Sequence, residues 1–265
     1  MATRRKGRPG GYEEIAAHFR RLMDSGELSP GDPLPSMRDV CDQFGSAITT
    51  VNRAFRLLQE EGRTVSKPGV GTIVRDMSRV RVPFSTYGDV LAPGGDKGPW
   101  ERATAAQGLD GRMLVEAPEE VGAPADVAAR LGIEPGALVV HRRRRATIGE
   151  DVVQLQDAWY PLEIARAAGL DRPGKVVGGV LGAMTGAGLS PTSTDHDVEV
   201  WVPSAQQAAE LSLGSRVSVL VVERVTYDAT GRVLELTRHT GAADRLTLTY
   251  KGLPLRATGA EGSTS

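Results

Sequence analysis

The stretch LPSMRDVCDQFGSAITTVNRAFRLLQEEG, Leu34–Gly62, decides how the first part of the chain folds. Ser36 stands ahead of an apolar run with Asp39 three residues on, the spacing by which a cap and a first-turn acid satisfy the open amides of a helix start. The helix that follows runs to about Phe44 and buries Val40, Cys41 and Phe44; Gly45 breaks it. A second helix, roughly Ala47 to Glu61, turns Val51, Phe55 and Leu58 to one side, the repeat of a half-buried helix, and Gly62 stops it. Two helices joined by a glycine-led turn form a helix-turn-helix, whose second member enters the DNA major groove by its N-terminal residues.

The same logic extends outward. Upstream, Tyr12, Ile15, Ala16, Phe19, Leu22 and Met23 stripe one face of a helix over Tyr12–Ser25, ended by Gly26. Residues 1–10 are basic and rich in Gly and Pro, and are expected to form a flexible arm. Downstream, Thr64-Val-Ser66 and Thr72-Ile-Val74 flank Lys67-Pro-Gly-Val-Gly71, two short β-rich runs around a Pro/Gly tip and hence a hairpin. Three helices and a two-stranded wing make a winged helix-turn-helix over residues 11–76.

Within it, Thr49 and Thr50 offer hydroxyls to phosphate or base edge, Asn52 suits adenine, and Arg53 suits phosphate or guanine. Arg38 is placed to reach backbone or base. Gly69 and Gly71 let the backbone of the wing tip approach DNA, and Lys67 adds charge beside it. Each of these residues has an ordinary alternative role, as a solvated helix charge, a tight turn or a helix start. Their convergence on one face of one motif favours DNA.

Composition sets the frame. The chain has 265 residues with 40% hydrophobic and 25% charged residues, ordinary for a globular protein of one or two domains. Net charge is −1, but residues 1–80 hold 13 Lys+Arg against 10 Asp+Glu while the rest holds 19 against 23, a mild basic bias towards the N-terminus. No apolar run is long enough for a membrane helix, and the basic start lacks the apolar core of a secretory signal. A single cysteine, Cys41, leaves no internal disulfide and points to a reduced, cytoplasmic protein. No nucleophile elbow, P-loop or Rossmann glycine pattern appears, so neither an enzyme nor a cofactor is expected. In Asp195-His-Asp197 the strand alternation separates the histidine from both acids, and no third ligand accompanies them, so no metal is expected.

Residues 77–98, with Pro83, Pro93, Gly94, Gly95 and Pro99 in or beside them, are expected to be a linker. Beyond lie strand-like runs near 113–116, 137–146, 152–160, 193–202, 217–228 and 232–251, the last splitting around Gly241. Helical segments fall at 124–131, 162–168, 176–186 and 204–212, the last opened by Ser204 with Gln207 three on. Hairpins interrupted by helices imply an α+β domain on a mostly antiparallel sheet over 99–256, followed by a small, polar tail at 257–265.

The runs Leu34–Val40, Phe44–Phe55, Leu58–Gly62 and Ser66–Val74 together resemble the DNA-binding domain of GntR-family regulators. That resemblance implies operator recognition by a homodimer, with DNA contacts at Ser36, Arg38, Thr49, Thr50, Arg53, Gly69 and Gly71. Ile48 and Asn52 stand where similar members often carry arginine, which implies an operator that differs from the usual one. Trp159-Tyr-Pro161, Ala208-Ala-Glu-Leu211, Val221–Asp228, Gly231–Leu236 and Ala243-Asp-Arg-Leu246 resemble the UTRA sensor domain of the HutC subfamily. The fold this implies is chorismate-lyase-like, an antiparallel sheet with flanking helices, serving effector binding and dimerisation.

UTRA domains bind small, often anionic metabolites such as sugar phosphates or carboxylates. The run His141-Arg-Arg-Arg-Arg145 offers the positive lining. Alternation along a strand sends Arg142 and Arg144 one way and Arg143 and Arg145 the other, so one pair lines a pocket and the other is solvated or ion-paired. The resemblance favours Arg142 and Arg144 and makes Glu235 the ligand-facing acid; Arg238 and Tyr250 are further candidates. The leading expectation is a repressor whose effector changes domain orientation and so the spacing of two recognition helices. Two alternatives stand beside it: a ligand-independent repressor, for example of plasmid transfer genes, whose second domain only dimerises, and an enzyme with a lyase-like fold.

Overall fold

The computed structural model describes residues 10–83, 98–176 and 178–251. The bulk of the basic arm, most of the linker and the whole polar tail therefore lie outside the described residues.

The N-terminal unit packs three helices: α1 (Tyr12–Ser25), α2 (Met37–Phe44) and α3 (Ile48–Glu60). Glycines in the left-handed region end the first two, Gly26 at φ 81° and Gly45 at φ 62°, a conformation that costs glycine little and other residues more. The apolar stripes meet in one core. Ile15, Phe19, Val40, Val51 and Leu58 are buried there, with Tyr12, Leu22, Met23, Cys41 and Phe44 packed at its edge. Each fully buried large side chain contributes about 1.5–3 kcal/mol. The wing follows as β1 (Thr64–Lys67) and β2 (Gly71–Val74), antiparallel with Lys67 opposite Gly71.

Within the expected linker, β3 (Val80–Pro83) forms a strand, and Val80 is buried. α4 (Pro99–Ala105) begins with a proline where its missing N–H costs nothing, and Trp100 is buried with its indole N–H donating to the Thr147 carbonyl at 3.1 Å.

The second unit is built on β4 (Gly111–Val115), β5 (Glu119–Gly122), β6 (Leu138–Ile148), β7 (Asp151–Pro161), β8 (Pro191–Trp201), β9 (Val219–Asp228) and β10 (Val233–Ala242). They form one antiparallel sheet in the order β4-β6-β7-β10-β9-β8, with β5 also on β6. β11 (Leu246–Thr249) pairs in parallel with β3. The last long run thus breaks after Ala242, not at Gly241. Gly241 lies inside β10, where a Cβ would come 2.1 Å from Leu246 Cδ1 and a larger residue would not fit.

One sheet face is covered by α6 (Leu162–Ala167) and α7 (Gly179–Gly186), which bury Ile164, Leu181 and Met184 against Val140, Ala158, Tyr160 and Leu234. The other is covered by α5 (Ala125–Leu131), packed on Trp159, Val225 and Leu236. α8 (Ala205–Glu210) opens with the expected box: the Gln207 amide donates to Ser204 Oγ at 3.2 Å and the Ser204 amide donates to Gln207 Oε1 at 2.9 Å. Among the described residues no helix is long and apolar enough to cross a membrane.

Candidate DNA-binding face and effector site

The recognition helix α3 presents an apolar side inward and a polar side outward. Val51, Ala54, Phe55 and Leu58 are buried; Thr49, Asn52 and Arg53 are exposed and Thr50 is half-buried. No side chain caps its first turn; the Thr50 amide there donates to the Ala47 carbonyl at 2.9 Å. Arg53 lies with its guanidinium 3.8 Å from the centre of the Tyr12 ring, which holds it against α1. Arg38 is exposed in the first turn of α2. Ser36 is occupied locally: its hydroxyl accepts from the Asp39 amide at 3.2 Å and donates to Asp39 Oδ2 at 2.7 Å. At the wing tip Gly69 and Gly71 have φ of 78° and 104°, and a Cβ on either would meet nothing within 4 Å, so backbone conformation rather than space asks for glycine there. Lys67 sits 3.9 Å from Glu150 in the β6–β7 turn, so the wing touches the second unit.

The C-terminal end of α3 also rests on that unit. The Arg216 amide donates to the Glu60 carbonyl at 2.9 Å. A Cβ on Gly214 would lie 2.0 Å from the Gln59 carbonyl oxygen, so only glycine permits this approach. Arg75, 7% exposed, donates to Asp244 Oδ2 at 2.5 Å and to the Gly62 carbonyl at 3.3 Å. Arg245, more deeply buried still at 2% exposed, donates to the Ser78 carbonyl at 3.2 Å and lies 3.6 Å from Asp76.

The sheet register sorts the second candidate group. Arg142, Ala158, Thr237, Arg224 and His196 lie opposite one another across β6, β7, β10, β9 and β8; Arg144, Gln156 and His239 form the next row. Glu235 and Thr226 pair on the same face. That face is polar and buried. Glu235 accepts from Arg224 at 2.5 Å and from the Thr226 hydroxyl at 3.0 Å. Its other oxygen, the Tyr160 hydroxyl, the Thr237 hydroxyl and the Arg144 Nε are buried without a hydrogen-bond partner. Burial, then Glu235, pushes the Tyr160 hydroxyl far up from its ordinary range. Burial, then Arg224 and Arg144, pushes His239 well down, so its imidazole is neutral.

Arg142 departs from its expected role. It is 3% exposed, and its guanidinium donates to the carbonyls of Leu170, Arg172 and Gly174 at 2.7, 2.8 and 2.5 Å. These three bonds hold the loop after α6 over the sheet. Arg238 lies on the opposite face, bound to Glu223 at 2.7 Å and Asp126 at 2.9 Å. Tyr250 stands at the rim, its ring 6.5 Å from that of His196. Arg143 and Arg145 are ion-paired as the alternation allows, to Glu210 at 2.9 Å and Glu116 at 3.3 Å. Beside an open cleft of about 530 Å³, Arg130 pairs with Asp197 and Glu223, and Arg238 with Asp126 and Glu223.

Two family models match the chain: that of bacterial regulatory proteins of the gntR family over residues 11–74, and the UTRA domain over residues 106–247. The chain belongs to the GntR family. The HTH-type transcriptional repressor PhnF of Mycolicibacterium smegmatis is 27% identical over 90% of this chain and 91% of its own. The regulator GgaR of Escherichia coli is 24% identical over 84% of each. The crystal structure of PhnF superposes with a TM-score of 0.54 at 26% identity, covering 89% of this chain and 97% of that one. As a GntR-family member with a UTRA domain the chain is a DNA-binding transcriptional regulator and not an enzyme. The α+β architecture, helical at the N-terminus and an antiparallel sheet after it, is that of the superposed relative.

For this GntR-family chain the two groups of expected residues fare differently. Arg38, Thr49, Thr50, Asn52 and Arg53 sit on α2 and α3 of one small unit, with Lys67, Gly69 and Gly71 on its wing. Of the effector candidates, Arg144 and Glu235 share a face, Arg142 serves the loop, and Arg238 is elsewhere. Tyr160, Thr237 and His239 complete the polar face and are absent from the sequence expectation. The alternation that selects Glu235 also selects Thr237 and His239, so that signal was present.

Proposed function

We propose that this regulator acts as a homodimeric repressor, released from its operator by a small anionic, hydroxyl-bearing metabolite held on the polar face of the sheet. One observation carries this: Arg144 Nε, the Tyr160 and Thr237 hydroxyls and one Glu235 oxygen are buried on a single face with their hydrogen-bonding capacity unspent. A buried polar group left unpaired costs about 1–3 kcal/mol, so four on one face are retained for a purpose other than stability. Arg144 supplies the fork for a phosphate or carboxylate, and Glu235 accepts from hydroxyls. The relatives named as repressors and the placement of α3 support operator binding by a pair of recognition helices one DNA turn apart.

The test is a thermal-shift screen of the intact chain against sugar phosphates and hydroxycarboxylates, followed by operator release in a gel shift. A true effector stabilises by about 2.7 kcal/mol at a hundred times its Kd. Arg144→Ala is expected to abolish the shift. Failure of both ligand classes to move the melting curve of a chain that still binds DNA sinks the effector assignment and leaves the operator function standing.

A further inference from the structure

The recognition helix carries an apolar side chain that the fold leaves unused. By spacing, Ile48 opens the stripe that Val51, Phe55 and Leu58 continue at i+3, i+7 and i+10. Those three are buried in the helical core, and the core stops short of Ile48, which is 53% exposed and does not pack against that cluster. The Cα–Cβ bonds of a helix tilt towards its N-terminus, so the side chain of the first residue projects ahead of the helix. A helix-turn-helix inserts this end of its second helix into the major groove. A single exposed apolar side chain is ordinary on a protein surface. This one leads α3 to the base edges.

The chemistry beside it is equally restricted. Residues 46–51, Ser-Ala-Ile-Thr-Thr-Val, hold no charge. Ser46 is spent inside the fold, its hydroxyl donating to the Gly10 carbonyl at 2.7 Å. Arg53, five residues on, is held against the Tyr12 ring. Ala47 and Thr49 on either side are exposed, and each adds a methyl group. The foremost point of α3 is therefore hydrocarbon. In the major groove guanine shows two acceptors, adenine an acceptor and an amine, and cytosine an amine; thymine alone shows a methyl group, beside one acceptor. Isoleucine set against any of the first three strips water from a polar edge and returns no hydrogen bond, a loss of about tenfold. Against the thymine methyl it gains, by about fourfold for a methyl-sized group removed from water. The same side chain attracts one base and rejects the others.

We propose that Ile48 is a specificity-determining residue for the operator, reading the C5-methyl of a thymine in each half-site. The inference rests on the operator function of the family and on α3 as the inserted helix, and it names the base edge that the helix tip takes.

The experiment uses the full chain on a duplex that it selects from a randomised pool. Each thymine is replaced in turn by uracil, in both half-sites together, which removes the methyl and nothing else. At one position uracil is expected to weaken binding about fifteenfold, the product of about fourfold from each protomer. A C·G pair at that position should weaken binding further, and 5-methylcytosine should recover part of that loss through the same methyl. Ile48→Ala should melt as the intact chain does, keep the slope of log K against log salt, and bind thymine and uracil equally there. Thr49→Ser, which removes a methyl and keeps the hydroxyl, should still tell thymine from uracil. A tightly bound duplex in which no thymine methyl matters overturns the inference, as does an Ile48→Ala chain that still discriminates. Loss of discrimination in Thr49→Ser alone moves the contact to Thr49 and also overturns it, and 5-methylcytosine bound more tightly than thymine overturns thymine as the base. An intact chain that selects no duplex fails the operator function itself, a result distinct from these.

Discussion

The winged helix-turn-helix and the sheet unit carry their chemistry in opposite ways. On α2 and α3 the polar residues are outside: Arg38, Thr49, Asn52 and Arg53 are exposed over a wholly apolar core. On the sheet they are inside. Glu235 and Thr237 are 0% exposed, Arg142 3% and Arg224 7%. A nucleic-acid surface must meet a large charged partner without rearranging, and solvent keeps its side chains solvated until then. A small-molecule site has to remove its ligand from water, so its polar groups are desolvated in advance and lean on one another. The first design separates stability from function, and the second merges them.

Three substitutions break or sharpen that contrast. Glu235→Ala removes the carboxylate from a buried Arg224 and is expected to destabilise the chain by about 3–5 kcal/mol in urea unfolding, with operator affinity following only through the unfolded fraction. A loss below about 1 kcal/mol would mean that the polar face is not structurally engaged. Arg38→Ala should do the reverse: a melting temperature unchanged, and operator binding weakened by about 1–3 kcal/mol in a gel shift if it touches a base. A shifted melt with unaltered affinity would remove Arg38 from the DNA face. The mildest effect concerns pH. Folding holds His239 neutral, with Arg224, Arg144 and His196 all opposing its protonation. The unfolded chain takes up the proton first, so stability is full above the ordinary imidazole range near 6.5 and falls as pH drops below it, by up to about 1.4 kcal/mol per unit. His239→Gln should flatten that decline in unfolding curves taken from pH 7 to 5.

How much of this was legible follows the same division. The helix-turn-helix elements emerge from periodicity and glycine stops because each signal is local: Ser36 caps its own helix, and Gly26 and Gly45 end theirs. The long strands β6 to β10 emerge from alternation. What escapes is short or punctuated. α4 begins at Pro99 inside a Gly/Pro-rich segment that resembles a linker, β3 has four residues and depends on β11 for its pairing, and β5 is Glu-Glu-Val-Gly, without alternation. At the effector face, alternation places Arg142 correctly but is blind to the carbonyls of residues 170–174 that claim it. Arg238 fails on a signal already present, since it shares the face of Leu236 and not that of Glu235.

The seat of α3 on the 214–217 turn has a mechanical side. The helix has 13 residues and is held at its far end by the Glu60 carbonyl and the bare Cα of Gly214. At 1.5 Å per residue it is a rod of about 20 Å pivoted near its tail. A tilt of about 10° at that pivot sweeps the tip through about 3.5 Å, more than the length of a hydrogen bond. Leverage of this kind turns a sub-ångström adjustment in a loop into the gain or loss of every contact at the other end.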